Sequence, residues 1–190
     1  VTKKGFDLTA ASKNIQEQGD QLPPLEKWNP EFCGDIEMRI ARDGTWFYGG
    51  TPIGRPAMVK LFSRVLWMED GQYFLKTPVE KVGIDVDDVP FLFVSVEQRE
   101  GEQGPELVFT SKTDDVVVAG ETYPIRVEHC DQTGEPSPYI AVRFGMEGLI
   151  ARNVFYELVE LADEREIDGE QHLVIESQGK VFSLGSLAES

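Results

Sequence analysis

Ile53-Gly54-Arg55-Pro56-Ala57-Met58-Val59-Lys60-Leu61-Phe62 returns 97 positions later as Ile150-Ala151-Arg152-Asn153-Val154-Phe155-Tyr156-Glu157-Leu158-Val159. Each copy opens Ile-x-Arg, and Met58, Leu61, Phe62 and Val65 align with Phe155, Leu158, Val159 and Ala162. Apolar residues at that spacing fall on one face of a helix. Pro56 suits a helix start, where its missing N–H would be unpaired anyway. Past each helix, Asp70-Gly71 and Asp168-Gly169 align at an offset of 98, each leading into an apolar run. The echo predicts a duplicated chain, with helices over 55–67 and 152–162 in equivalent places, each followed by a hairpin. It also predicts a groove between the copies.

Working outward, the coarse reading is α+β. Residues 7–19 suit a short polar helix, and Leu22-Pro23-Pro24-Leu25 breaks it into an extended arm. Ile36 to Ile40 alternates as a strand, and Asp43-Gly44 turns it back into Thr45-Trp46-Phe47-Tyr48 as a β-hairpin. Gly49-Gly50-Thr51-Pro52 makes a second turn, and Tyr73–Leu75 and Val82–Ile84 read as further strands. Phe91–Val96 and Glu106–Thr110 flank the polar loop Gln98–Pro105, and the pattern predicts a hairpin there rather than a linker. Val116–Val118, Tyr123–Val127 and Tyr139–Phe144 continue the strands, then Leu173–Ile175 and Val181-Phe182 close the chain. The repeat places a domain boundary at Asp85–Pro90, giving an N-terminal unit over 1–86 with a leading arm and a C-terminal unit over 87–190.

The 190 residues, 41% hydrophobic and 10% aromatic, suit a chain that buries a core without disulfides or metals. Cys33 and Cys130 fall one per copy and are expected as reduced thiols of a cytoplasmic protein. No apolar run approaches the roughly 20 residues of a spanning helix, and Val1–Asp7 has the basic pair Lys3-Lys4 but no leader-like apolar stretch. Charge is uneven. Residues 1–86 carry 11 Lys/Arg and 12 Asp/Glu, net −1, whereas residues 87–190 carry 7 and 22, net −15. The second half would repel duplex nucleic acid and anionic membranes. Residues 39–81 are locally basic, with Arg39, Arg42, Arg55, Lys60, Arg64, Lys76 and Lys81 against Asp43, Glu69, Asp70 and Glu80, so a small anion could be held there.

The blocks Cys33-Gly34-Asp35-Ile36-Glu37-Met38-Arg39-Ile40, Asp43-Gly44-Thr45-Trp46-Phe47-Tyr48 and Gly50-Thr51-Pro52-Ile53-Gly54-Arg55 resemble the bacterial family called domain of unknown function 1285. Thr77-Pro78-Val79-Glu80-Lys81-Val82, Val89-Pro90-Phe91, Tyr139-x-x-x-Arg143 and Arg152-x-x-Phe155-Tyr156 extend the likeness over nearly all of the chain after residue 22. The resemblance implies a duplicated two-domain core whose C-terminal half is a pleckstrin-homology-like bent sheet or barrel. It further implies a site at the domain interface for a nucleotide-like ligand, and a role in signal transduction. The family has no established catalytic residues, so none is carried over.

The residues themselves offer little chemistry. His129 and Cys130 are adjacent, hence on opposite faces of a strand, and cannot pair as base and nucleophile. No His/Cys spacing supplies the three or four convergent ligands of a metal site, and neither a metal nor a cofactor is expected. Asp85, Asp87 and Asp88 could hold Mg²⁺, or form a hydrated turn. The Gly49–Arg55 turn lacks the nucleotide-hydrolase loop spacing, but Arg55 offers a planar fork for phosphate and Arg152 repeats it. Trp46 and Tyr48 share a strand face, which is exposed, packed or used to stack a base, while Phe47 is expected in the core. Arg39, Arg55, Arg143 and Arg152 are therefore the expected phosphate partners, with Trp46 or Tyr48 stacking. Three readings follow: a non-enzymatic binding or sensory protein for a small nucleotide-like anion, an adaptor whose acidic second half meets a basic protein partner, and an uncharacterised hydrolase.

Overall fold

The computed structural model describes residues 6–19 and 21–187; the opening Val1–Gly5, with its basic pair, lies outside them. The chain divides into two compact units, Val1–Pro90 and Phe91–Ser190. The break falls after Pro90 rather than after residue 86 because residues 87 and 88 are tied back to the first unit. Asp87 N–H donates to Ile40 O, and Arg39 and Arg42 pair with Asp87 and Asp88.

The N-terminal unit begins with helix α1 (Leu8–Gln16), capped by the Asp7 carboxylate on Thr9 N–H and Ala10 N–H. Strand β1 (Phe32–Ile40) alternates as its sequence requires: Gly34, Ile36, Met38 and Ile40 are buried, and Asp35, Glu37 and Arg39 are exposed. It pairs antiparallel with β2 (Trp46–Tyr48), which pairs with β3 (Thr51–Pro52). Helix α2 (Pro56–Ser63) starts with Pro56 in its first turn, and then β4 (Leu66–Glu69), β5 (Gln72–Lys76) and β6 (Lys81–Val86) form a meander. The last strand lies parallel to β1, giving one sheet of order β3-β2-β1-β6-β5-β4.

The helix expected over 55–67 therefore stops at Ser63, and Trp67 is in a strand. Asp70 and Gly71 have φ of 51° and 77° and form a two-residue loop between Glu69 and Gln72. A loop with both central residues left-handed matches strand twist, so it zips Leu66 onto Leu75 and takes the apolar run away from the helix. Phe62, Val65 and Leu66 are fully buried, each such side chain contributing roughly 1.5–3 kcal/mol.

The C-terminal unit repeats the helix-plus-meander plan. A first sheet joins β7 (Phe91–Gly101), β8 (Gly104–Ser111), β9 (Val116–Val118), β10 (Ile125–His129), β11 (Pro136–Ala141) and β12 (Glu147–Ile150) in the order β10-β11-β12-β7-β8-β9. The polar segment Gln98–Pro105 is mostly strand, since Gln98, Arg99 and Glu100 pair with Leu107, Glu106 and Pro105 around a tight turn. Helix α3 (Arg152–Leu161) buries Val154, Phe155 and Leu158, then β13 (Asp163–Ile167), β14 (Glu170–Ser177) and β15 (Lys180–Ser186) form a second meander. Its first turn is again Asp168-Gly169 with positive φ.

The fold is thus α+β and duplicated, but the copies close differently. In the first, the strand parallel to the opening strand follows the helix. In the second, it is β12, which precedes the helix, and the meander is a separate three-stranded sheet. That small sheet packs on the larger one, where Ser177 Oγ accepts from Leu107 N–H at 2.9 Å and donates to Ala119 O at 2.7 Å. No helix among the described residues is long and apolar enough to cross a membrane.

Candidate functional site

Strand pairing in the N-terminal unit sorts its side chains onto two faces. Ile36, Met38, Ile40, Trp46, Leu66, Leu75, Val82 and Ile84 fill the core. The opposite face carries Arg39 and Phe47, then Asp35, Gly83 and Asp85, then Phe74 and Lys81, and at the far side Trp67, Glu69 and Lys76. This second face is a ladder of cations on aromatic rings. Arg39 Cζ lies 4.5 Å from the Phe47 ring centre, Lys81 Nζ 4.9 Å from Phe74, and Lys76 Nζ 3.7 Å from Trp67.

The cations differ in how they are balanced. Arg39 pairs with Asp87, and Lys81 Nζ reaches Glu69 Oε2 at 3.1 Å. Glu69 Oε1 also accepts from Trp67 Nε1–H at 2.8 Å. The Trp67 and Lys81 hydrogen bonds hold the Glu69 carboxyl below its ordinary range. Lys76 is only 5% exposed. Among the described residues its ammonium has the Trp67 ring but no hydrogen bond and no carboxylate in ion-pair reach. Burial therefore pushes its pKa down, an effect opposed by Glu69 and Glu26 at longer range and reinforced by its cross-strand neighbour Lys81. Lysines so little exposed are rare unless paired.

Of the residues expected from sequence, Arg39 lies on this face and the others do not. Trp46 is 3% exposed and belongs to the core, so its ring offers no stacking surface. Phe47, expected in the core, is the partly exposed ring beneath Arg39; the pairing of Arg39 with Phe47 sets this parity. Tyr48 shares the Trp46 face, and its hydroxyl donates to Phe6 O at 3.2 Å. Arg39 thus lies on the sheet face opposite to Trp46 and Tyr48. Arg55 caps α2, exposed and without a partner among the described residues. Strand β3, just before it, is four strand steps from β5, about 19 Å at ordinary spacing, so Arg55 and Lys76 belong to different regions of the unit. In the C-terminal unit, Arg143 pairs with Asp115 at 2.8 Å, both side chains nearly buried, and Arg152 pairs with Glu135. Both arginines already have carboxylate partners.

The chemistry of Lys76, Lys81 and Trp67 escaped the sequence reading in different ways. Lys76 and Lys81 fall in the basic stretch 39–81, but nothing in a strand end such as Leu75-Lys76-Thr77-Pro78 announces burial. The helical spacing runs on to Trp67 and hides its place in a strand. The one available signal was the excess of lysine and arginine between residues 39 and 81.

Catalytic arrangements fare worse. His129 lies against Gly185, whose Cβ position would fall 3.2 Å from His129 Nε2. His172 Nδ1 and Ser183 Oγ are 2.7 Å apart, but no partner orients the other ring nitrogen among the described residues, as a nucleophile–base relay requires. Asp87 and Asp88 are held by arginines. No group of three or more potential metal ligands occurs among the described residues.

Comparison with known proteins matches residues 23–89 to the family model described as "Domain of unknown function (DUF1285), N-terminal domain" and residues 90–184 to "Protein of unknown function (DUF1285), C-terminal domain". A crystal structure of a DUF1285 family protein from Silicibacter pomeroyi is 47% identical, with 97% of each chain covered and a TM-score of 0.86. One from Shewanella baltica is 28% identical over 66% of this chain and 91% of that one, with a TM-score of 0.53. No curated protein matches.

Proposed function

Since the chain belongs to the DUF1285 family, which comes without an assigned activity, we propose that it is a non-enzymatic, cytoplasmic binding or sensory protein for a small nucleotide-like anion, acting in signal transduction. The observation that carries the reading is Lys76, a residue only 5% exposed whose ammonium reaches the surface over the Trp67 ring with no carboxylate in ion-pair reach among the described residues. A phosphate or carboxylate at this point would supply the charge-assisted hydrogen bonds that the ammonium lacks. Lys81, held by an exposed carboxylate, is the second cation within reach of the same ligand. Trp67, half-buried, supplies a ring surface beside them. The cytoplasmic location accords with Cys33 and Cys130 as exposed free thiols.

The test is a thermal-shift and calorimetric titration of the full chain with inorganic phosphate and adenosine monophosphate. At a hundredfold excess over Kd, a ligand bound only by the folded state adds about 2.7 kcal/mol, which is about 5–10 °C for a chain of this length. Lys76→Met should abolish the response. Affinity should also fall as pH rises through the depressed Lys76 pKa, because only the ammonium attracts the anion. Wild-type protein with no response to either probe overturns the reading.

One surface favours a second reading, an adaptor for a basic partner protein. Tyr156 is 59% and Leu161 42% exposed on α3, beside the exposed acids Glu157, Glu160, Asp163, Glu164 and Glu166. Such association would weaken steeply with salt, whereas binding at Lys76 would respond far less.

A further inference from the structure

Next to Lys81 on the same sheet face, Gly83 leaves a gap that its neighbours shape into a trough. A Cβ at Gly83 would collide with Asp35 Oδ1, so the missing side chain is what lets the Asp35 carboxylate fold across the strand. The Phe32 ring stands edge-on to Phe74, 5.9 Å between centres, and Phe32 is 51% exposed while Phe74 is buried. Asp85, exposed, follows on β6. These residues line a cavity of about 480 Å³.

The trough and the lysines form one strip with opposite ends. Along β6, Lys81 stands about 7 Å from Gly83 and Asp85 about 7 Å beyond it. Lys76 pairs across from Lys81, and Asp35 across from Gly83. On this face Lys76 and Lys81 form the cationic end, Phe74 and Asp35 flank Gly83, and Asp85 stands at the far end across from Arg39, which Asp87 already neutralises. Phe74 joins the halves, with the Lys81 ammonium on its ring and its edge contact to Phe32 in the trough. A plain inorganic anion would use only one end of this strip and would meet repulsion at the other.

We propose that the ligand of this face is amphoteric: an anionic group seated at Lys76 and Lys81, a flat ring against Phe74 and Phe32, and an ammonium or amino donor on Asp35 and Asp85. This rests on the anion-binding reading of Lys76 and narrows its ligand to a class. A charge-assisted hydrogen bond from a ligand ammonium to Asp35 is stronger than a neutral one. The ring would add aromatic contact in a wall that is already edge-to-face.

The matched probes are tyramine phosphate, which has phosphate and ammonium at opposite ends of one ring, and 4-ethylphenyl phosphate, which lacks only the amine. Calorimetry on the full chain should show the amine-bearing probe binding about tenfold tighter, the scale of one good charge-assisted contact. Asp35→Asn and Asp85→Asn, each nearly isosteric, should reduce that preference and together remove it, while leaving the affinity for 4-ethylphenyl phosphate within twofold. Equal affinity of the two probes for wild-type protein, or a preference that survives the double substitution, overturns the amphoteric assignment and leaves the anion site standing. Failure of both probes and of inorganic phosphate to bind overturns the anion reading itself, and this inference with it.

Discussion

The least exposed cations of the two units, Lys76 and Arg143, are balanced in opposite ways. In the C-terminal unit Arg99, Arg126, Arg143 and Arg152 each hold a carboxylate, from Glu106, Glu147, Asp115 and Glu135 respectively. With 20 acids to 7 bases over residues 91–190, each arginine has carboxylates to spare. In the N-terminal unit 14 acids face 11 bases over residues 1–90, yet the most buried cation, Lys76, has no carboxylate in ion-pair reach among the described residues. Total charge therefore says little about where an anion binds. What singles out the candidate site is local compensation: an arginine with its own acid is a brace, and Lys76, without one among the described residues, is where we propose the anion sits.

The largest expected effect breaks the brace side of this comparison. Arg143 and Asp115 are 16% and 13% exposed at their side chains, and Asp115 also accepts from Ser111 Oγ–H at 2.6 Å. Removing one partner of such a pair leaves an uncompensated charge inside the fold, at a cost of about 3 kcal/mol. Asp115→Ala should thus lower the urea midpoint clearly, and Arg143→Met in the same chain should recover much of the loss. A midpoint unmoved by Asp115→Ala would show that this pair braces nothing, and the contrast between the units would lose its C-terminal half.

Lys76 should behave in the opposite sense. Burial lowers the Lys76 pKa, so an apolar chain of similar length relieves a desolvation cost, and Lys76→Met should make the ligand-free protein more stable, by less than about 1 kcal/mol. The pH dependence follows from the direction of its shift. With the folded pKa below the unfolded 10.5, the unfolded chain holds more protons between those two values. Stability then rises with pH across that window. The wild type should show this alkaline gain in urea titrations and Lys76→Met should lack it. A variant less stable than wild type at every pH would mark Lys76 as a structural contact of Trp67 instead of a waiting partner.

At the acid end, Glu69 gives a smaller effect. Its carboxyl is lowered from 4.5 by its bonds to Trp67 and Lys81, so the unfolded state binds the proton first. Its contribution is present above 4.5 and is lost as pH falls through the depressed value. Glu69→Gln should flatten that part of the acid limb and, because the Glu69 charge opposes the depression of Lys76, enlarge the alkaline gain rather than remove it. Loss of the alkaline gain in Glu69→Gln would mean that the two residues act as one unit.

Much of the architecture was legible in the sequence, for reasons tied to particular residues. The alternation from Ile36 to Ile40 and the Asp43-Gly44 turn declare a hairpin outright, and the Ile-x-Arg echo marks both helices. The end of α2 was not legible, because Val65 continues the helical phase while the Asp70-Gly71 loop, acting from outside the window, claims Leu66–Glu69 for a strand. Strand β13 is all but invisible: Asp163-Glu164-Arg165-Glu166 carries no apolar alternation and is held by pairing with β14 alone. The site was least legible of all. Arginines drew the reading because their forks suit phosphate, yet whether a cation is spent depends on neighbours brought by strand pairing, and no spacing rule conveys that. Trp46 and Phe47 were assigned to the wrong faces for the same reason, since parity within a three-residue strand depends on its partner strand.

The smallest effect separates the two places in the N-terminal unit where an anion could sit. Arg55 is exposed, has no partner among the described residues and caps α2 without a side-chain bond. Its removal touches no packing, so Arg55→Ala should shift stability by less than about 0.5 kcal/mol. If the anion is held at Lys76, four strand steps from β3, phosphate affinity should also stay within about twofold in low salt. The only coupling left is then a screened charge beyond the Debye length of about 10 Å at 0.1 M. If the anion instead sits at the helix start, losing the guanidinium should cost about 1.5–3 kcal/mol of binding, more than tenfold in Kd, with the melting temperature unchanged. Calorimetric titration of Arg55→Ala and Lys76→Met with the same phosphate probe decides between them. A large loss in the first variant and none in the second would move the site from the sheet face to the α2 terminus.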